Sequence, residues 1–180
     1  GINGVGGERL DRIKYLGADA LYTVAGVDNV LSVDTAIVSN DPDAKIKYSL
    51  AEGSSLPEGM VLNADGSISG TPTAPGTYSF RVVASEDTNA RYPYKDVYKN
   101  FRMTVYNKNA IPDQIIYEDI NLGVIPQRAE YSKSIAGAVV FDDEGKLSTD
   151  ITYKLADGSE LPAGLELVDG VITGTTTASA

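Results

Sequence analysis

The stretch LPEGMVLNADGSISGTPT, Leu56 to Thr73, returns as LPAGLELVDGVITGTTT at Leu161 to Thr177. A chain that spells one turn-rich phrase twice has few ways to fold, because the phrase dictates where the backbone bends. In Leu56-Pro57-Glu58-Gly59 the proline presets φ for the second position of a tight turn, and glycine suits the fourth. Met60 and Leu62 alternate with Val61 as a short strand does. Asn63-Ala64-Asp65-Gly66 then reverses the chain, since Asp and Gly tolerate the positive φ of hairpin turns. Ile68 lies on the return strand. Gly70-Thr71-Pro72 ends it, because proline cannot donate to a continuing ladder.

The second copy keeps each step: Leu161-Pro162-Ala163-Gly164, the alternating Leu165 and Leu167, a hairpin signal at Asp169-Gly170 one residue shorter, and Ile172 before Gly174-Thr175. Upstream, Ile46, Tyr48 and Leu50 alternate with polar residues, as do Ile151, Tyr153 and Leu155 at an offset of 105. Matching periodicity and matching turns at one offset mean an internal duplication, and at this length the repeated unit is a domain.

Around the phrase the first copy reads as strands nearly throughout. Leu21–Val24 and Val30–Val38 are β-branched or apolar runs broken by Gly26, Asp28 and Asn29. In Gly76–Ser85, Tyr78, Phe80, Val82 and Ala84 face one way. Phe101, Met103 and Val105 repeat the pattern in a last strand. About seven short strands over some ninety residues, with turn signals between, are the sequence form of a β-sandwich. The expected class is all-β: residues 1–18 as an N-terminal extension, 19–107 as one sandwich, 108–112 as a linker and 113–180 as a second, incomplete one. Leu10, Ile13 and Leu16 have helix-like spacing before Gly17, and the same stretch reads equally as a stray strand.

Composition prunes the functions. A net charge of −10, with 15 basic against 25 acidic residues, makes nucleic acid and anionic membranes poor partners. No apolar run approaches the eighteen or so residues of a membrane span. With no His and no Cys there is no imidazole base, thiolate nucleophile, disulfide or usual zinc site. The chain opens at Gly1 rather than Met, so the lack of a leader carries no information. Asp142 and Asp143 are neighbours that point to opposite faces of a strand, and no carboxylate spacing marks a catalytic pair. The glycine-rich start, Gly1 to Gly7, lacks the strand before and the Lys-Ser/Thr after that a phosphate loop needs. The expectation is a protein without catalytic residues.

Leu56, Pro57, Gly59, Met60, Leu62, Gly66, Ile68, Gly70, Thr71 and Pro72, followed by Gly76, Thr77, Tyr78, Phe80 and Val82, carry a wider pattern. It resembles the putative-immunoglobulin repeat of large bacterial surface proteins, grouped with dystroglycan-type, cadherin-like domains. The resemblance implies tandem immunoglobulin-like sandwiches in a secreted or cell-surface chain, used for adhesion, spacing or carbohydrate contact, with an accessory domain of a secreted enzyme as a further reading. Function belongs to sites on folds, so the motif names no ligand. In the second copy Thr176 replaces the proline, and nothing matches the hairpin Thr77–Tyr106. The second sandwich is therefore expected to lack its final strands. A fragment of a longer protein explains this. The alternative is strand exchange, with Arg12–Leu16 of another copy completing the sheet.

Two candidate sites follow. Calcium between domains is implied by the cadherin likeness, and Glu86, Asp87, Asn107, Asn109 and Asp113 are the oxygen donors nearest the linker. Asn107, Lys108 and Asn109 stand where carboxylates are expected, and the simpler reading is a set of solvated acids with no cofactor at all. The connection 86–100 carries Arg91, Tyr92, Tyr94 and Tyr98, whose rings suit a sugar face or a protein partner. Its alternative is an extended hairpin whose tyrosines pack on their own strands.

Overall fold

The computed structural model describes residues 11–39, 41, 43–86, 94–120 and 122–177. Among them there is no helix, as expected for an all-β chain. The first sandwich is built from β1 (Ile13–Tyr15), β2 (Ala20–Val24), β3 (Leu31–Ser32), β4 (Ala36–Val38), β5 (Lys47–Leu50), β6 (Met60–Leu62), β7 (Ser67–Gly70), β8 (Gly76–Ser85) and β9 (Val97–Tyr106). One sheet has the order β2-β9-β8-β5, with β2 parallel to β9 and the other pairs antiparallel. The other layer consists of β3-β7-β6 and the ribbon β1-β4.

The long hairpin β8–β9 fills the core because its alternation sends every second side chain inward. Phe80, Val82, Ala84, Phe101, Met103 and Val105 are buried against Ile13, Leu31, Val33, Val38, Tyr48, Met60 and Ile68. The five larger of these side chains, at roughly 1.5–3 kcal/mol each, are comparable with the whole stability of a small domain, about 5–15 kcal/mol. Tyr78, the first inward residue of the run, is only half-buried, and its hydroxyl donates to Ala74 O at 2.9 Å.

The segment before residue 19 is not an appendage from residue 12 onward. Ile13–Tyr15 pairs antiparallel with β4 and Ile13 is 1% exposed in the core. Its helix-like spacing lost to the burial a strand gains there. Arg12–Leu16 is thus engaged in its own sandwich through β4.

The second unit contains β10 (Glu130–Ser134), β11 (Val140–Phe141), β12 (Leu147–Ser148), β13 (Leu165–Val168) and β14 (Val171–Thr175). β10-β14-β13 form one sheet and β11-β12 a small hairpin. Asp169 and Gly170 both have positive φ, 49° and 77°, the two-residue turn that the Asp-Gly pair announces. Residues 151–156, expected as a strand by analogy with β5, are not one. In the first sandwich β5 is held by β8, and no described residue offers that partner here.

The duplication extends to single hydrogen bonds. The Tyr48 hydroxyl accepts from Ala36 N at 3.2 Å, and the Tyr153 hydroxyl accepts from Ala138 N at 3.0 Å. Tyr15 donates to Val33 O, and Tyr117 donates to Ile135 O. The ring pairs match as well, with Tyr15–Tyr48 centroids 5.8 Å apart at 65° and Tyr117–Tyr153 centroids 5.5 Å apart at 66°. Yet Ala36 and Tyr48 are 12 residues apart while Ala138 and Tyr153 are 15 apart. The second copy thus has three extra residues in this connection, the one that carries β11 and β12.

Candidate functional site

Those extra residues lie at the junction of the two units. Asp142 Oδ1 accepts from Glu144 N and Lys146 N, both at 2.9 Å, which closes the β11–β12 turn tightly. The turn rests on the outer face of β2, with Gly145 against Val24 and Val27. Ala20, Tyr22, Val24 and Val27 of the first sandwich and Val139 and Phe141 of the second form one buried cluster, with Tyr106, Ile111, Ile116 and Leu147 packed against it. Tyr106 stacks on Tyr22 at 6.4 Å and meets Phe141 edge-on at 6.0 Å.

Asn29 is the polar centre of this junction. It is 5% exposed, its Nδ2 donates to Gly145 O at 2.9 Å, and its Oδ1 accepts from Leu147 N at 3.0 Å. One amide thereby satisfies a backbone acceptor and a backbone donor of the other unit, which burial would otherwise leave unpaired. Lys146 Nζ donates to Asp28 O at 2.8 Å alongside. At the rim, Arg102 of β9 pairs with Glu118 of the second unit, both side chains half exposed. The Tyr22 hydroxyl, then the Arg102 guanidinium, hold the Glu118 carboxyl below the usual carboxylate range. Burial, then Glu118, push the Tyr22 phenol up. Asn29 had been legible only as a residue that breaks a strand.

The linker is correspondingly compact. Asn107 Oδ1 accepts from Asn109 N at 2.8 Å and Asn107 O from Ala110 N at 2.9 Å, a local turn that leads Ile111 into the shared cluster. Of the proposed calcium ligands, Glu86 is buried just beyond the end of β8, whereas Asn107 follows the end of β9. The strands are antiparallel, so these residues sit at opposite ends of a ten-residue hairpin, about 30 Å apart. One ion cannot bind both. Asn107, Asn109 and Asp113 are exposed near the junction, and Asp87 lies outside the described residues.

The tyrosine set is also divided. Arg91 and Tyr92 lie outside the described residues. Tyr94 is buried and donates to Asp41 Oδ2 at 2.8 Å, so its ring belongs to the interior rather than to a contact surface. Tyr98 is on β9, not on the connection, because the strands reach Ser85 and resume at Val97. It is 49% exposed on the outer face, with the Arg81 guanidinium 4.4 Å from its ring centre. Beside it runs a shallow groove of mixed character, in which Ser79, Arg81, Asn100 and Arg102 lie next to Phe80 and Phe101. Strand alternation, which makes 98, 100 and 102 outward neighbours, could have found this face.

No curated protein matches the chain. Two solved structures that resemble it are a putative alpha-galactosidase/melibiase and a putative alpha-galactosidase, both of Bacteroides fragilis. The identities are 15% and 17% and the TM-scores 0.41 and 0.40. The likeness covers 54% of this chain and 18% of each of those. The family model of the Putative Ig domain matches residues 20–106, the whole span from β2 to β9. Over residues 20–106 the chain is thus similar to the Putative Ig domain family.

Proposed function

We propose that the chain is a non-catalytic structural segment of a larger bacterial cell-surface or secreted protein, a stiff spacer that holds adhesive or presented surfaces at a fixed distance. The observation that carries this reading is the junction. A flexible pair of beads needs no shared core, yet Tyr22, Val24, Val27, Val139 and Phe141 are buried together, and Asn29 spends both ends of its amide on the neighbouring unit. Interfaces of that kind suppress the relative motion that is otherwise the default between domains. Residual dipolar couplings test it. Alignment tensors fitted separately to residues 20–106 and 114–177 agree in magnitude and direction for a stiff segment, and unequal magnitudes would remove the spacer reading.

A carbohydrate-binding role is the second reading, favoured by the exposed Tyr98–Arg81 pair next to that groove. One ring with adjacent amide and guanidinium groups suits a single sugar residue better than an extended chain. Titration with a panel of oligosaccharides, followed on the amides of Ser79, Tyr98, Asn100 and Arg102, decides it. If those signals stay fixed at millimolar sugar, that face has no such role.

A further inference from the structure

The chain has 25 Asp and Glu against 15 Lys and Arg, yet no residue of β2, β5, β8 or β9 is acidic. Strands disfavour acids in general, so the bases of this sheet are the informative part. Lys99 belongs to the inward series, and its Nζ donates to Gly17 O at 3.0 Å. Lys47, Arg81 and Arg102 are exposed on the outer face. The other layer differs: β3, β6 and β7 have no charged residue, and β1 and β4 have only Lys14. In an acidic protein, the outer face of β2-β9-β8-β5 is locally basic.

Register gives this face a pattern. β8 and β9 pair Ser79 with Arg102 and Arg81 with Asn100. Four exposed side chains therefore form a square, with the guanidinium groups on one diagonal and the hydroxyl and amide on the other. Diagonal neighbours on an antiparallel pair are roughly 7–8 Å apart. The other diagonal neighbour of Arg81 is Tyr98, whose ring centre lies 4.4 Å from its guanidinium. A guanidinium stacked on a ring keeps its N–H donors in its own plane, where they match a carboxylate two at a time. Arg102 uses this chemistry within the chain, taking the Glu118 carboxylate through Nη2. Arg81 pairs with no carboxylate among the described residues.

Building on the carbohydrate reading above, we propose that this square binds a carboxylated sugar, a uronic acid at the end or branch of a glycan, with its carboxylate on Arg81. Asn100 and Ser79 offer both donors and acceptors to the ring hydroxyls, and Arg102 offers the N–H groups that Glu118 leaves. The rest of the chain limits the size of the anion. Charges more than about 8 Å away are largely screened at physiological ionic strength, so a single carboxylate feels chiefly Arg81 and Arg102. A long polyanion or an acidic peptide would run onto the loops, which hold the acids behind the net charge of −10. Asp19 already stands in the lining of the groove. One carboxylate on a neutral, hydroxyl-rich ring fits both the square and its surroundings.

The test follows the amides of Ser79, Arg81, Asn100 and Arg102 in the whole chain during titration with methyl glucuronide and with methyl glucoside, which differ in one carboxylate. The glucuronide is expected to bind about tenfold tighter or more, as a charge-assisted hydrogen bond allows, and to weaken as sodium chloride is raised. Arg81→Gln, at an exposed position, is expected to bring the glucuronide down to the level of the glucoside, with an unchanged thermal melt. Arg81→Lys, which keeps the charge and loses the fork, is expected to recover only part of the difference. Equal binding of the two sugars to the parent chain overturns the acidic class and leaves a face for neutral sugars. Silence of these amides with both sugars removes the carbohydrate reading along with it. Shifts with a tetraglutamate peptide but not with the glucuronide also overturn it, and make an acidic protein segment the partner.

Discussion

Replacing Asn29 with alanine isolates what holds the two units together. The side chain is 5% exposed and makes two good hydrogen bonds across the junction, to Gly145 O and from Leu147 N. Its third contact, to Thr23 Oγ1 at 3.4 Å, stays within the first sandwich. Truncation removes both cross-junction bonds and strands a backbone carbonyl and a backbone amide, each costing about 1–3 kcal/mol when buried. Partial entry of water recovers some of this, so a loss of about 2–4 kcal/mol in docking is expected, roughly thirty- to seven-hundredfold in the docked-to-undocked ratio. The chain has no cysteine, so Ser49→Cys and Glu166→Cys, both exposed, give two clean spin-label sites, one on each unit. Electron–electron distance distributions taken across a urea series are expected to broaden at distinctly lower urea for Asn29→Ala than for the parent. If the two series coincide to within about 0.5 kcal/mol, the apolar cluster alone holds the junction and the assignment of Asn29 is wrong.

Other outcomes follow from the same geometry. Gly59→Ala places a Cβ against the Thr71 carbonyl at a φ of +97° and is expected to cost about 3 kcal/mol or more, measured by chemical denaturation of the first sandwich. Tyr48→Phe, which frees the Ala36 amide, is expected to cost about 1 kcal/mol and to speed exchange at that amide selectively. Burial raises the Tyr15 and Tyr48 phenols, so the folded state holds those protons more tightly. Their contribution is intact below about pH 10 and is lost as pH rises beyond it, so melting temperature should fall above pH 10, with a lag in tyrosinate absorbance until unfolding. Glu118 has the opposite sign: its depressed pKa makes its contribution present above about pH 4.3 and lost as pH falls, so Glu118→Gln should flatten the acid limb of the stability curve.

Local chemistry made the repeated phrase legible. Pro57, Gly59, Asp169 and Gly170 act through their own backbone angles, and both copies bend where those residues stand. The alternation of Phe80, Val82 and Ala84 similarly announced the inward face of β8. The junction was not legible, because Asn29 and Gly145 are 116 residues apart and nothing in either neighbourhood signals the other. Ile13 was left open between helix and strand for a related reason: a three-residue strand carries too little periodicity to separate the two, and only the core across from it decides. Sequence proximity could not separate a loop surface at Tyr94 and Tyr98 from tyrosines packed on their own strands. Strand formation from Val97 then sent Tyr98 outward, while Tyr94 turned in toward Asp41.

The single offset of 105 also concealed the duplication's most informative difference. Before Ala138 the copies correspond at 102, and the change falls within the connection that forms β11 and β12. A hairpin longer by three residues can reach across to β2, and its turn brings Gly145, whose lack of a side chain permits close approach to Val24 and Val27. The corresponding connection of the first copy, between Val38 and Lys47, is shorter and contains no Asp-Asp-Glu-Gly turn. The longer connection of the second copy thus supplies the turn that packs on Val24 and Val27. Deleting three residues from 142–150 should leave both sheets folded and abolish the shared cluster. Retention of a single narrow label distance after that deletion would show that the linker turn at Asn107–Ala110, rather than the hairpin, sets the geometry of the pair.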